Sequence, residues 1–315
     1  MNKDFWQNLK KPIIALAPMD GYTDSAFRQI CKEVNPAIIV FTEFTSADGL
    51  SHGAKTLKEK IAFVPSEQPI IVQLFGKEPQ KFVEAVKYCE AAGFAGIDIN
   101  MGCPARKVIR SEHGLALRKD PETAFRIVEA VAKNTKLPVS VKTRLGWDGN
   151  LDLDSFAKGI ENAGANLITI HARFFKEVRF GPIDYNPLYE LKSKIKIPII
   201  VNGGITSLTD GLEKIGNLDG LMIGRAALGN PWVFNLKPVT NFSEKIPVIK
   251  RHAAYMVKTK GAKAGILQMR KHLLDYVSAM PQAKNFRSQL ARVNNLKEID
   301  GVLAEIKTSL AAESA

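Results

Sequence analysis

The chain of 315 residues has only three cysteines, Cys31, Cys89 and Cys103, and no two of them lie close together in the sequence. An odd number of dispersed cysteines excludes a disulfide framework and a zinc site of the CxxC type. No stretch approaches the roughly 18 uncharged apolar residues that a membrane-spanning helix needs. The first residues, MNKDFWQNLKKP, lack the apolar core of a signal peptide. We therefore expect a cytoplasmic protein without a metal ion, whose cysteines act as thiols.

The chain carries an excess of positive charge that is concentrated near one end. It has 44 Lys and Arg against 32 Asp and Glu, a formal net charge of +12 at pH 7, and 45% hydrophobic residues, which excludes disorder. Residues 236 to 315 hold 14 of the basic and 6 of the acidic residues, a net of +8. Such a block suits a polyanion such as nucleic acid, although a solvated basic surface helix has the same composition.

Short β-branched runs recur over the first 230 residues and predict strands. They are apolar at consecutive positions, which is typical of strands buried on both faces of a parallel sheet. Amphipathic segments between the runs predict helices. Eight strands, each followed by a crossover, favour an α/β protein with a closed (β/α)8 TIM barrel over an open doubly wound sheet. The runs begin at Ile13, Ala37, Ile70, Gly96, Pro138, Asn166, Pro198 and Asp219.

The sequence pattern changes near Pro238, where the β-branched runs end. The stretches IPVIKRHAAYMVKTKG and ILQMRKHLLDYVSAM, and a last one from Ser288 to Leu310, predict helices. Two prolines and few apolar anchors indicate a linker from Asn235 to Pro247. We expect a barrel over residues 1–236 and a smaller, all-helical C-terminal domain over residues 237–315.

Polar residues, glycines and the pair Pro18-Met19 close the predicted strands, at the end where a barrel of this kind carries its active site. One such residue is more often a cap or turn former than a ligand. Their presence on strand after strand predicts a binding site at the barrel mouth. The residues are Pro18, Met19, Asp20, Glu43, Gln73, Asp98, Asn100, Lys142, Arg144, His171, Arg173, Asn202, Gly203, Gly204, Gly224 and Arg225.

The last two strands run into the glycine-containing segments VNGGI and MIGRAALGNPW. In barrels, the loops after the seventh and eighth strands and a helix N-terminus form a phosphate site, to which Arg225 would add a bidentate cation. The alternative is that these glycines only make tight turns. Lys142 suits a Schiff-base nucleophile, a phosphate anchor or a cation beside an electron-rich ring. His171 either points into the mouth or is a buried histidine that is hydrogen-bonded to a backbone carbonyl.

Cys103 differs from the other two cysteines in its surroundings. Cys31 and Cys89 fall in helical patterns among apolar residues, which indicates the core. Cys103 follows the fourth predicted strand in INMGCPARKV, a loop on the active face. A thiol with an ordinary pKa of about 8.5 is mostly protonated at pH 7, so this cysteine can act as a proton donor.

Seven motifs occur in order from residue 17 to residue 232: APMDGYTDSAFR, TEF, QLFG, DINMGCPARKV, VKTRLGW, VNGGI and MIGRAALGNPW. In this order they resemble the flavin-dependent tRNA dihydrouridine synthases of bacteria. The stretch MRKHLLDY, from Met269 to Tyr276, is similar to the helical tRNA-binding domain of that family. The resemblance implies an oxidoreductase that reduces the C5–C6 double bond of uridine in tRNA to dihydrouridine with FMN and NADPH.

The resemblance also implies roles for individual residues. Cys103 matches the proton donor to C5, and Asn100 and Arg144 match substrate-binding positions. The FMN-binding residues would be Pro18, Met19, Asp20, Gln73, Lys142, His171, Asn202, Gly203, Gly204, Gly224 and Arg225. Contacts with tRNA would come from Lys250, Arg251, Lys258, Arg270 and Lys271. We expect the protein to be a monomer with tRNA and NADPH as its partners.

Two motifs depart from the family pattern: HGRT is HARF at His171 to Phe174, and NGDI is NGGI at Asn202 to Ile205. Loss of a carboxylate at position 204 removes repulsion from a phosphate. Two other functions remain open. One is an FMN-dependent reductase of a small molecule, like dihydroorotate dehydrogenase, which would not need the basic tail. The other is an RNA-binding module without activity, which would not need Cys103.

Overall fold

We describe residues 3–105, 109–147, 152–175, 181–278 and 280–313 of a computed structural model. Residues 106–108 of the DINMGCPARKV motif lie outside these ranges. The predicted TIM barrel is confirmed. Its parallel strands are β1 (Ile13–Leu16), β2 (Val40–Phe41), β3 (Thr45–Ser46), β4 (Ile70–Phe75), β5 (Gly96–Met101), β6 (Val139–Arg144), β7 (Leu167–His171), β8 (Ile199–Asn202) and β9 (Gly220–Ile223).

The strands follow the order β1-β9-β8-β7-β6-β5-β4-β2 around the barrel, and β3 also pairs with β4. A bridge between Ala15 and Ile39 joins β1 to the residue before β2 and completes the ring. Each of the eight predicted strands is present. Because consecutive strands are parallel neighbours, all of their carboxyl ends meet at one mouth.

β2 and β3 share one position in the barrel and are separated by a bulge. Val40 pairs with Ile70, whereas Thr45 pairs with Leu74, so this side has one residue more than β4 between the two pairs. An extra residue bends a strand and redirects its side chains. The bulge falls in residues 42–44, which form the TEF motif and lie at the mouth.

The interior of the barrel is apolar at the amino ends of the strands and polar at the carboxyl ends. Trp6, from the short helix α1 (Phe5–Asn8), closes the bottom and stacks on Phe41 with ring centroids 6.4 Å apart. Successive strand residues alternate between the interior and the outer face. Asp98 and Asn100 on β5, and Lys142 on β6, therefore point inward above this apolar floor.

Helices surround the barrel and begin where the sequence supplies caps. Asp24 accepts a hydrogen bond from Phe27 N (3.1 Å), and Asp120 accepts one from Thr123 N (3.1 Å), so each satisfies an otherwise unpaired amide. The outer helices are α2 (Ser25–Val34), α3 (Ala47–Ser51), α4 (Lys55–Ile61), α5 (Pro79–Ala91), α6 (Pro121–Asn134), α7 (Leu153–Asn162), α8 (Asn186–Leu191) and α9 (Leu208–Lys214).

The C-terminal part is helical, as predicted, but the limits of its individual helices differ from the expectation. Its helices are α10 (Phe242–Lys260), α11 (Ala262–Tyr276), α12 (Ala283–Leu290) and α13 (Leu296–Glu313). Helix α10 begins inside the predicted linker, because Asn241 accepts a hydrogen bond from Ser243 N (2.9 Å). The last predicted helix is two helices, because Asn295 caps α13 by accepting from Glu298 N (2.9 Å).

The helical part shares its hydrophobic core with the barrel. Ala26 of α2 and Trp232, which lies in a 3-10 turn after β9, belong to the same buried cluster as Met256 and Leu273. The division at residues 236 and 237 remains a prediction. Across the described part of the chain, no helix has the length and apolarity to cross a membrane.

Two histidines are fully buried where α10 and α11 meet α2. The rings of His252 and His272 lie 4.6 Å apart, and His272 stacks on Phe27 at 5.3 Å. The Nδ1 atom of His252 lies 3.2 Å from the hydroxyl of Tyr276. Burial lowers the pKa of His252 to about 4 and that of His272 well below its usual value, so both rings are neutral at pH 7.

Candidate active site at the barrel mouth

A cavity of about 650 Å³ opens at the carboxyl ends of the strands. Most of the predicted site residues lie in its wall. Phe44, from the bulge between β2 and β3, also lines it and was missed, although the TEF motif contains it. The predicted residues in the wall are Pro18, Met19, Asn100, Cys103, Lys142, Arg144, His171, Arg173, Asn202, Gly203, Gly204, Gly224 and Arg225.

Asp20 and Gln73 lie outside the wall of this cavity. Asp20 is at the rim, where its carboxylate pairs with Lys60 at 2.5 Å. Gln73 is fully buried beneath the cavity, and its Nε2 donates to Asp98 Oδ2 at 2.7 Å. Their predicted contacts with FMN stay predictions. Glu43 supports the rim from below by accepting a hydrogen bond from Gly21 N.

Cationic side chains surround His171 in the cavity. Burial lowers the pKa of His171 to about 2, and the charges of Lys142, Arg144, Arg173 and Arg225 add to this effect. The imidazole is therefore neutral. Burial also lowers the pKa of Lys142 to about 8, with a further contribution from Arg144. This concentration of positive charge in a partly enclosed space favours an anionic ligand.

The loop after β8 turns sharply at two glycines with positive φ. Gly203 has φ +108°, and a Cβ there would lie 2.5 Å from Cδ2 of His171. Gly204 has φ +64°, and a Cβ there would lie 2.0 Å from Cδ1 of Ile183. Tyr185 donates a hydrogen bond to Gly203 O at 2.7 Å. Both positions thus require glycine in this chain, including the one where the family pattern has Asp.

Lys142 is held at the centre of the mouth. Its Nζ donates to Asn202 Oδ1 at 2.9 Å, and Asn202 Nδ2 donates to Met222 O at 2.8 Å. A lysine with these neighbours and a lowered pKa remains mostly protonated at pH 7. It therefore offers a fixed cation to a ligand in the cavity.

Residues 102 and 103, which begin the loop that carries the Cys103 thiol and are called the Cys103 loop below, are held by side chains of β5 and β6. Asn100 Oδ1 accepts hydrogen bonds from Gly102 N (3.1 Å) and Cys103 N (3.0 Å), and Arg144 Nε donates to Gly102 O at 3.0 Å. Burial raises the pKa of the Cys103 thiol above its usual value. The thiol is therefore protonated at pH 7 and faces the cavity, whereas Cys31 and Cys89 are buried.

The lining of the cavity fits a flavin mononucleotide. Its volume lies within the range of cofactor sites, roughly 300 to 1,000 Å³. Arg225 and the two glycine loops lie at one end and suit a phosphate, since glycine lets a ligand approach the backbone. Met19, Asn100 and Lys142 supply an apolar contact, an amide and a cation, which suit a polar ring.

The predicted tRNA contacts do not lie together. Helix α10 runs antiparallel to α2: Arg251 pairs with Glu33 in the last turn of α2 at 3.0 Å, and Lys260 pairs with Asp24, its N-cap, at 2.7 Å. Because α2 follows β1, its N-terminus lies at the mouth. Lys258, which is exposed, is therefore at the mouth end, and Arg251 is at the far end.

The other predicted tRNA contacts have partners within the protein. Lys250 pairs with Asp300 at 3.0 Å. Arg270 donates to Val293 O (3.0 Å) and Asn294 Oδ1 (2.9 Å), so it orders the turn before α13. Lys271 is half-buried, with its Nζ 5.0 Å from the ring centre of Tyr22 in the loop after β1. Of these three residues, Lys271 lies beside the mouth, as Lys258 does.

A parallel (β/α)8 barrel with a cation-rich mouth and a protonated thiol fits the class of enzymes that bind an anionic ligand at the carboxyl ends of their strands. The family model "Dihydrouridine synthase (Dus)" matches residues 15–312. The chain therefore belongs to the dihydrouridine synthase family, and the predicted family, enzyme class and fold are confirmed.

Two relatives illustrate the relationship. The chain is 33% identical over 311 residues to the probable tRNA-dihydrouridine synthase of Rickettsia conorii, with 94% of each chain covered. It is 32% identical over 308 residues to tRNA-dihydrouridine synthase B of Pseudomonas aeruginosa, with 93% of this chain and 91% of the relative covered. Both matches extend through the barrel and the helical part.

Proposed function

We propose that this protein is a tRNA dihydrouridine synthase that uses FMN and NADPH to reduce the C5–C6 double bond of a uridine in tRNA. The observation that carries the proposal is the position of Cys103, a protonated thiol in the wall of a cation-rich cavity. The family membership of the chain supports the same reaction. We also propose that the protein acts in the cytoplasm and as a monomer.

The chain's own residues would bind and orient the cofactor. Arg225 and the loops at Gly203 and Gly224 would hold the phosphate, and Met19 and Lys142 would lie against the ring. A protonated Lys142 favours negative charge on the ring. When bound, FMN supplies the hydride that passes from NADPH to C6 of the uracil.

Cys103 would complete the reduction by proton transfer. Addition of a hydride at C6 would leave negative charge shared between C5 and the oxygen of the adjacent C4 carbonyl, and the thiol would donate its proton to C5. The raised pKa of Cys103 keeps the thiol protonated before this step. The thiolate then regains a proton from solvent. Asn100, adjacent in the wall, would orient the uracil with the second N–H of its amide, the one that it does not donate to Gln73.

The uridine must leave the tRNA stack to reach the thiol, at a cost of a few kcal/mol. Contacts with phosphates would offset this cost. Lys258 and Lys263, both exposed near the turn between α10 and α11, and Lys271 beside Tyr22 lie on the mouth side of the helical part. This placement favours a polyanionic substrate over a small molecule, which would need no lysines outside the cavity.

The variant Cys103→Ala tests the proposal. It should bind FMN and accept electrons from NADPH, because the thiol acts only in the second half-reaction, whereas oxidation of the reduced flavin by tRNA should slow by about 100-fold or more. Stopped-flow absorbance at the flavin band measures each half-reaction separately. Cys89→Ala, which removes a buried thiol far from the mouth, is the matched control. Oxidation of Cys103→Ala by tRNA at the wild-type rate would refute the role of Cys103.

A further inference from the structure

A chain of side-chain hydrogen bonds runs up the barrel interior and ends at the Cys103 loop. Ser140 Oγ donates to Asp98 Oδ1 (2.6 Å), and Gln73 Nε2 donates to Asp98 Oδ2 (2.7 Å). Asn100 Nδ2 then donates to Gln73 Oε1 (2.9 Å), and Asn100 Oδ1 accepts from the backbone of the loop. Ser140, Asp98 and Gln73 are fully buried, and of these four side chains Asn100 alone lines the cavity.

The order of donors and acceptors along this series of hydrogen bonds is set by Asp98, at the end away from the mouth. A carboxylate only accepts hydrogen bonds, whereas an amide side chain can present either its NH2 group or its oxygen. Asp98 therefore requires the NH2 group of Gln73, which leaves Oε1 to face Asn100. Asn100 must then present its own NH2 group downward, and its oxygen is left for the amides of Gly102 and Cys103.

The ionised form of Asp98 is maintained against its burial. Burial raises the pKa of Asp98 to about 6, and the hydrogen bonds from Ser140 and Gln73 and the charge of Lys142 oppose that rise. At pH 7 and above, the carboxylate is therefore ionised. A buried charge contributes little net stability, and the neighbouring interior of the barrel is filled with apolar side chains. What the Asp98 carboxylate adds is a fixed donor-to-acceptor direction for the hydrogen bonds between it and the Cys103 loop.

We propose that Asp98 is a positioning residue that acts through Gln73 and Asn100 to hold the Cys103 loop in the conformation that presents the thiol to the cavity. This inference rests on the proposed function only for its purpose, which is to place the proton donor. The effect of Asp98 on the conformation of the loop does not depend on that function, so it can be tested without measuring turnover.

The rate of alkylation of Cys103 by iodoacetamide reports the order of the loop. Cys103 is the reactive thiol in native protein, because Cys31 and Cys89 are buried. In Asp98→Asn, Gln73 can present either end of its amide, and the two bonds to the loop weaken. We expect alkylation at pH 8 to become about fivefold faster, the factor that corresponds to about 1 kcal/mol for loosened hydrogen bonds.

A second substitution should restore the direction. In Gln73→Glu alone, two carboxylates would face each other, and alkylation should again accelerate. In the double variant Asp98→Asn with Gln73→Glu, the new amide at position 98 donates to the new carboxylate at position 73, and that carboxylate accepts from Asn100. Alkylation should return to within about twofold of the wild-type rate, because every bond above position 73 regains its original sense.

Two controls complete the experiment. Asn100→Ala removes the last acceptor and should accelerate alkylation as Asp98→Asn does, while Ser140→Ala keeps the direction of the chain and should change the rate little. Wild-type rates in Asp98→Asn and Asn100→Ala, or a double variant as fast as the singles, would overturn the proposal. Should Asp98→Asn not fold, Gln73→Glu and the double variant decide alone. Failure of tRNA to oxidise the wild-type flavin would refute the function and leave the alkylation result intact.

Discussion

Restoring the acid of the family pattern at position 204 should destabilise this protein. Gly204 has φ +64°, and its Cβ position lies 2.0 Å from Cδ1 of Ile183 and 3.2 Å from the hydroxyl of Tyr185. The variant Gly204→Asp therefore forces a side chain into a left-handed backbone conformation and into space that the loop after β7 fills. Ile183 packs against the main core, so its movement has a cost.

The expected loss is the sum of two terms. The left-handed conformation costs about 1 to 2 kcal/mol for a residue other than glycine, with Asp near the lower limit. Displacement of Ile183 adds about 1 to 3 kcal/mol, as for other overpacked sites. We expect Gly204→Asp to lower the free energy of unfolding by about 2 to 4 kcal/mol. Flavin content should fall as well, because the displaced loop borders the cavity.

Urea denaturation of Gly204→Asp measures this loss, and Gly93→Asp separates its two terms. Gly93 has φ +84° and nothing within 4 Å of its Cβ position, so Gly93→Asp should show the backbone cost alone, about 1 kcal/mol. In an Ile183→Ala background, Gly204→Asp should also lose only the backbone cost. Equal losses for Gly204→Asp and Gly93→Asp would refute the packing argument.

The remaining predictions concern the cofactor, the tRNA and acid stability. Arg225→Ala should lower the flavin bound per chain, measured by absorbance after gel filtration, and full occupancy would refute its placement at the phosphate. Lys258→Ala with Lys263→Ala should reduce the salt dependence of tRNA binding by about two units of slope, whereas Lys250→Ala should change it little, and the reverse would refute the mouth-side interface. Burial lowers the pKa of His272 in the folded protein, so below about pH 6.5 the unfolded chain binds a proton that the folded protein does not, and stability falls as the pH is lowered. In urea titrations, His272→Phe should therefore lose less stability than the wild type between pH 7.5 and pH 5. An equal loss in both proteins would contradict this.

The eight strands could be predicted because each is marked by its own local run of apolar residues. The run IIVQLF, for example, is buried along almost its whole length as β4. Most residues of the mouth could then be predicted as well, since the carboxyl ends of the strands converge in this fold. β3 was missed because two residues, Thr45 and Ser46, carry too little pattern, and their pairing depends on the bulge before them.

Contacts between distant residues could not be predicted from local pattern. Nothing adjacent to Gln73 in the sequence shows that Asp98 and Asn100 occupy both ends of its amide. Similarly, Lys258 and Arg251 lie on the same helix with the same charge. Only the antiparallel packing of α10 on α2 places the first near the mouth and the second near Glu33.

The core that Ala26 and Trp232 share with the helical part has a consequence for how the enzyme selects its uridine. A common core prevents the lysines at the end of α10 from shifting relative to Cys103. If these lysines grip the RNA backbone as proposed, the protein would measure a fixed distance between the gripped phosphates and the thiol. A uridine at that distance would then be the one reduced, and insertion of one nucleotide between them should move the modification to a neighbouring position.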